Sequence, residues 1–302
     1  MKAFIVAAAA LMVACTPAKP SVEYLFNQSG LAKNDPSSEN VQGCAVYSDW
    51  FFSFRDGGYC VVSDLRDSSL VAEFPMGSFR PDNHANIAFF STQRFEDWDV
   101  LPMLCLSQVK GDRLCFIERI LTDSDGKPCG SELKHVLVYN PREWNSRMWI
   151  ADEMHPEDLY CFGNTVGNKA EGNRIIIQKF RTPDFSTDDF EIVLTEDDVV
   201  ETLYFDQFLP EGARGPQNTV MQGAFVYDYN FILPVGAGSE KNPSEIFVAN
   251  LKSGKSAAFD VTDVLPCEME DFALWGNRIV CPTNASRGYS PVFAFRLKDL
   301  VL

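Results

Sequence analysis

The chain has 302 residues, of which 42 are acidic and 26 basic, for a formal charge of −16. A field of that sign repels nucleic acid and anionic lipid surfaces, so neither is expected as a partner. Hydrophobic residues make up 46% of the chain, enough for a sizeable core, yet past residue 14 no apolar run approaches the length of a membrane-spanning helix.

The first fifteen residues, MKAFIVAAAALMVAC, place one charge at Lys2, an apolar run from Ala3 to Ala14, and then Cys15. The run is too short to span a bilayer, and it has the charged start and small-residue end of an export signal. MVAC resembles the bacterial lipobox, and that resemblance implies diacylation of Cys15 as the mature N-terminus. Residues 1–14 are then a leader, 15–21 a lipidated tether, and 22–302 one domain; losing Lys2 takes the charge to −17. Acyl chains contribute about 0.8 kcal/mol per buried methylene, so several would hold the protein on a membrane through lipid alone. No acidic run follows Cys15, the pattern that resembles the surface-export signal of Bacteroides-type lipoproteins, and its absence implies the periplasmic face of an outer membrane rather than the cell surface.

Eight cysteines remain after Cys15. In an oxidising compartment they could pair, and Cys105 and Cys115 are spaced to meet across the turn at Lys110-Gly111-Asp112. Free, buried, valine-sized thiols are the alternative, and the favoured one. No C-x-x-C occurs, and His84, His135 and His155 fall in separate segments. Neither zinc nor any other cofactor is expected.

Helix signals are nearly absent. What recurs is a run of four to eight Val, Ile, Phe and Tyr residues punctuated by Gly, Asn, Asp or Pro. QGCAVYSDWFF at Gln42 returns as QGAFVYDYNFI at Gln222, and GDRLCFI, GNRIIIQKF and GNRIVCP repeat one turn-plus-strand phrase at Gly111, Gly172 and Gly276. Gly and Asn accept the positive φ of tight hairpins, so the phrase reads as a repeated β-unit. Four-stranded units divide the chain into five blades of an all-β propeller, with six left open by the insertions. In chain order the innermost strands are QGCAVYS, ANIAFFS, RMWIADE, QGAFVY and EDFALW. The third blade is expected to end on FEIVLT, and the last is one strand short, which VEYLFN at Val22–Asn27 can supply by closing the ring.

Cys15, the Gln-Gly strand openings and phrases such as PMLCLSQVKGDRLCFIERI together resemble the TolB-like β-propeller lipoproteins of Bacteroides-type bacteria, across essentially the whole mature chain. The resemblance implies fold and location and carries no catalytic residue.

A propeller gathers polar residues where its inner strands begin; here these are Gln42, His84, Asn86, Arg147, Gln222, Glu268 and Glu270. They are the expected ligand mouth, with a glycan or an envelope protein as guest. Glu268 and Glu270, two apart on one strand, share a face and offer an alternative, glycoside hydrolysis with a carboxylate from another blade. Acidic runs at Glu96–Asp99 and Glu196–Asp198 read as solvated loops, and DSDG at Asp123–Gly126 as a turn rather than a calcium loop, because Lys127 stands where a ligand is required. Trp50, Trp98, Trp144, Trp149 and Trp275 could stack on sugars but read mainly as blade core. No nucleophile motif occurs, and a non-enzymatic binding module is the expected class.

Overall fold

The structure is a computed structural model that describes residues 19–34, 40–109, 111–141, 144–286 and 288–302. The leader, Cys15 and most of the tether lie outside the described residues.

Strand β1 (Val22–Asn27) comes first in the chain but belongs to the last blade. Blade one is β2 (Val41–Tyr47), β3 (Trp50–Arg55), β4 (Tyr59–Asp64) and β5 (Leu70–Pro75). Blade two is β6 (Ala85–Phe90), β7 (Leu104–Gln108), β8 (Cys115–Thr122) and the long β9 (Pro128–Tyr139). Blade three has β10 (Met148–Ala151), β11 (Asp158–Asn164) and β12 (Ile175–Arg181). Next come β13 (Glu191–Leu194) and β14 (Glu201–Tyr204), then blade four with β15 (Phe225–Tyr227), β16 (Asn230–Val235), β17 (Glu245–Asn250) and β18 (Ser256–Asp260). Blade five holds β19 (Glu268–Met269), β20 (Ala273–Trp275), β21 (Arg278–Asn284) and β22 (Pro291–Arg296). β1 completes it, antiparallel to β22 with Val22 opposite Phe295 and Asn27 opposite Pro291. The ring thus has five blades, closed by the N-terminal strand as the sequence pattern predicts.

Apolar side chains fill the seams between blades. One cluster runs from Ile87 and Cys105 through Trp149, Cys161 and Phe162 to Phe231, joining blades two, three and four. Others fill the seams of one with two, four with five, and five with one. Phe26 of β1 meets Phe51 edge to face at 6.3 Å in that last seam. Cys105 and Cys115 both lie in the first cluster as free thiols. They are diagonal neighbours rather than directly opposite, because Cys105 faces Ile117 and Cys115 faces Ser107.

The repeated sequences have distinct physical jobs. Gly43 and Gly223 each press the start of an inner strand against the next blade. A Cβ at Gly43 would stand 2.9 Å from the Ala85 carbonyl, and one at Gly223 2.6 Å from the Glu270 carbonyl. Only glycine permits that approach. Gly111, Gly172 and Gly276 all take positive φ (62°, 75° and 59°). The first two precede the third strand of their blades, while the third joins β20 to β21, the first hairpin of blade five.

FEIVLT does not complete blade three. As β13 it crosses to blade two and pairs in parallel with β9, Glu191 opposite Val136 and Leu194 opposite Tyr139. Gln93 anchors the crossing: its Nε2 donates to the Pro183 carbonyl at 2.8 Å, and its Oε1 accepts from the Phe185 N–H at 2.7 Å. The outer edge of blade three is taken instead by β14, antiparallel to β12. A short apolar alternation specifies a strand but not its partner; pairing is decided by which unfilled edge the preceding loop reaches.

Candidate functional site

Polar residues in this ring divide between those that tie blades together and those that line open space. Three fully buried carboxylates belong to the first group: Glu118, Asp152 and Asp271. Glu118 accepts from the Gly77 and Ser78 N–H groups of the connection between blades one and two. Asp152 accepts from the Asp228 and Tyr229 N–H groups at 3.0 and 2.8 Å, joining blades three and four. Asp271 interrupts the inner strand of blade five between β19 and β20, and its Oδ2 accepts from Cys44 of blade one at 2.9 Å and Ala88 of blade two at 3.2 Å. Burial pushes its carboxyl well above the ordinary range, while amide hydrogen bonds, that of Cys44 foremost, pull the other way.

The predicted mouth residues all sit at the leading end of the ring, where inner strands begin. Gln222 Nε2 donates to Glu268 Oε1 at 2.5 Å, and Asn284 Nδ2 donates to Glu270 Oε1 at 2.6 Å. Asn284 also donates to the Val41 carbonyl at 2.9 Å and accepts from its N–H at 3.1 Å, so this network runs from blade four through blade five to blade one. Burial first, then the neighbouring Glu268 charge, raises the Glu270 carboxyl well above its usual range. Each carboxylate thus has one oxygen committed to an amide of this network, Glu268 to Gln222 and Glu270 to Asn284. His84 instead bonds Asp56 of the β3–β4 turn, and Arg147 reaches the Asp112 carbonyl of the β7–β8 turn at 3.4 Å. Gln42 and Asn86 are buried at the first residues of β2 and β6, where each strand's register shifts.

At the trailing end of the inner strands, Glu153 stands between two small cavities of about 50 and 40 Å³, both also bounded by Phe89 and Phe90. Glu153 is exposed at the surface, and the protein packed behind its carboxyl raises its pKa to about 7, with the Asp152 charge adding to the effect.

Open space of another kind lies where two parallel strands of blade two end. A cleft of about 740 Å³ opens where β9 and β13 end side by side, lined by Tyr139, Asn140, Pro141, Trp144 and residues 193–197. Tyr139 is its buried floor, at right angles to the half-buried Trp144 with centroids 6.2 Å apart. The Tyr139 hydroxyl donates to Gln178 Oε1 at 2.5 Å, and Gln178 donates in turn to Thr202 Oγ1 at 3.2 Å, which fixes the floor to blade three. Burial and the Glu196 carboxylate beside it push the Tyr139 hydroxyl well up, so it stays a neutral donor. Glu196 and Asp197 form the exposed acidic wall on a short turn, held by Asp198 Oδ2 accepting the Thr195 N–H at 2.7 Å. An aromatic pair beside an amide and two carboxylates can stack on a ring and accept hydrogen bonds from hydroxyls. Trp144 and Glu196–Asp198 were each visible in the sequence; the crossing of β13, which brings them together, was not.

Asp123 shapes an ordinary turn, its Oδ1 accepting from Asp125 and Lys127 N–H groups at 2.9 Å. Among the described residues no three His, Cys, Asp or Glu side chains are grouped to hold a metal ion, and no helix is long and apolar enough to cross a membrane.

No family model matches the chain, and no curated protein matches it. Solved structures do. A tail fibre of Staphylococcus aureus phage P68 aligns over 92% of this chain and 53% of its own, with TM-score 0.54 and 12% identity. The chain therefore spans about half the length of that fibre. The Cps50 (Swd1) β-propeller domain of Myceliophteria thermophila aligns over 85% and 83% at TM-score 0.42 and 11% identity. Raptor of Chaetomium thermophilum aligns over 90% and 29% at TM-score 0.43 and 10% identity. At such identities the likeness is one of fold. The five closed antiparallel blades make this chain a β-propeller.

Proposed function

We propose that this propeller is a non-enzymatic binding module of the bacterial envelope, held to a membrane by a lipid on Cys15, and that it takes a glycan in the cleft between blades two and three. One observation carries the guest: Tyr139 and Trp144 form an aromatic corner in a 740 Å³ cleft whose rim is Asn140, Glu196 and Asp197. Sugars present alternating apolar C–H faces and hydroxyl donors, and the corner matches the first while the rim accepts the second. The lipobox and the TolB-like phrasing of the sequence support the envelope setting.

A thermal-shift screen against oligosaccharides tests the guest. Saturating ligand, about one hundred times its dissociation constant, stabilises by about 2.7 kcal/mol. Trp144→Ala should remove the shift while leaving the unliganded protein folded. A neutral oligosaccharide's shift that survives in Trp144→Ala, or no shift with any neutral oligosaccharide, would overturn the reading. Anchoring is tested separately: labelled palmitate should enter the wild-type protein and not Cys15→Ser.

A further inference from the structure

We propose that Arg147 and Arg113, at the leading end between blades two and three, form a binding site for an oxyanion group: a phosphate, sulfate or carboxylate.

The chain has many more acids than bases, and its other arginines show how readily pairs form. Arg66 pairs with Asp64, Arg119 with Asp99, Arg174 with Asp206, Arg181 with Asp158 and Arg214 with Glu245. Arg147 breaks the pattern where it is most costly. It is 7% exposed, its one hydrogen bond is a long 3.4 Å contact from Nη2 to the Asp112 carbonyl, and its Nε has no partner among the described residues. The Asp112 carbonyl it reaches is next in the chain to another cation, Arg113, whose charge acts against that of Arg147 and which makes no ion pair among the described residues. Arg113 sits on the β7–β8 turn at φ 58°, in the left-handed region. Removing a charge from water without a counter-charge costs several kcal/mol, and a second like charge adds to it. A bound anion would offset that cost.

A planar guanidinium fork binds two oxygens of one oxyanion, and two forks can share its remaining oxygens. Asn86, at the start of β6, the inner strand next to β10, also has a buried amide Nδ2 with no partner among the described residues. The chain's negative field opposes anions at long range but is screened beyond roughly 10 Å at 0.1 M salt, inside which the arginine pair dominates. Neither arginine lines the Trp144 cleft, so this site stands or falls independently of the glycan reading.

The test titrates the purified intact protein with inorganic phosphate and sulfate at constant ionic strength, following melting temperature and calorimetric heat. Saturable stabilisation is expected for wild type, at least tenfold weaker binding for Arg113→Gln, and none for Arg147→Gln. Arg113 is half-buried on a turn, so its variant keeps the test decisive should Arg147→Gln not fold. Equal responses in wild type and Arg113→Gln, or no saturable response to either anion, would overturn the proposal. A uronate oligosaccharide that binds tighter than phosphate and loses affinity in Arg113→Gln would identify the oxyanion as a carboxylate on a larger guest. Phosphate as the tighter ligand would identify the free ion. Trp144→Ala with a neutral oligosaccharide reports on the cleft alone.

Discussion

Replacing Gly223 by alanine should force blades four and five apart. The new Cβ would stand 2.4 Å from Asp271 Oδ1, 2.6 Å from the Glu270 carbonyl oxygen and 2.8 Å from Asp271 Cα. Two of these are backbone atoms, and the third belongs to a carboxyl held in place by the Cys44 and Ala88 amides, so relief requires the two inner strands to separate. Separation stretches the 2.6 Å bond from the Gly223 N–H to the Glu270 carbonyl and draws Asp271 away from the Cys44 and Ala88 amides. Overpacking alone costs about 1–3 kcal/mol, and weakening the hydrogen bonds to the buried Asp271 carboxyl adds about 1–2 kcal/mol more. A total of about 2–5 kcal/mol lowers the melting temperature of a domain this size by about 4–10 °C. Differential scanning calorimetry of Gly223→Ala beside Gly130→Ala measures it. Gly130 is the control, since a Cβ there meets nothing nearer than Leu121 Cδ1 at 3.6 Å. If Gly223→Ala melts within about 1 °C of wild type, the inner strands are not in the contact described and the reading of the Gln-Gly repeat fails.

Glu153 should make stability depend on pH. Its carboxyl rises from the ordinary 4.5 to about 7 in the folded protein, so the neutral form's contribution is present below about 4.5 and lost as pH climbs through 7. Melting temperatures of wild type and Glu153→Gln should therefore diverge across that window, wild type falling relative to the variant; parallel curves would refute the placement. The cysteines give a chemical check on the seams. A maleimide should label Cys129 promptly in the native protein, while the seven buried thiols react only in denaturant. Two thiols that resist labelling in denaturant until reductant is added would mean that Cys105 and Cys115 are bridged.

What the sequence determined by itself was local and periodic. The Gly111, Gly172 and Gly276 turns were legible because positive φ selects glycine residue by residue. The strands were legible because apolar runs between such turns have one economical conformation, and the incomplete last blade pointed to Val22–Asn27 because an unfilled sheet edge needs a strand. Tertiary structure decided what depends on which edges meet. β13 went to blade two because β9 offered an edge within reach of the Gln93-anchored loop, a relation between residues some fifty positions apart that no window of sequence contains. That choice alone created the cleft of Tyr139, Trp144 and Glu196. It was likewise only in three dimensions that Glu268 and Glu270 became links between blades, that Asp271 found amides from blades one and two, and that Arg147 came to lie buried beside Arg113. Charge and hydrogen bonding act through space, and the closing of a ring brings together side chains that sequence order keeps apart.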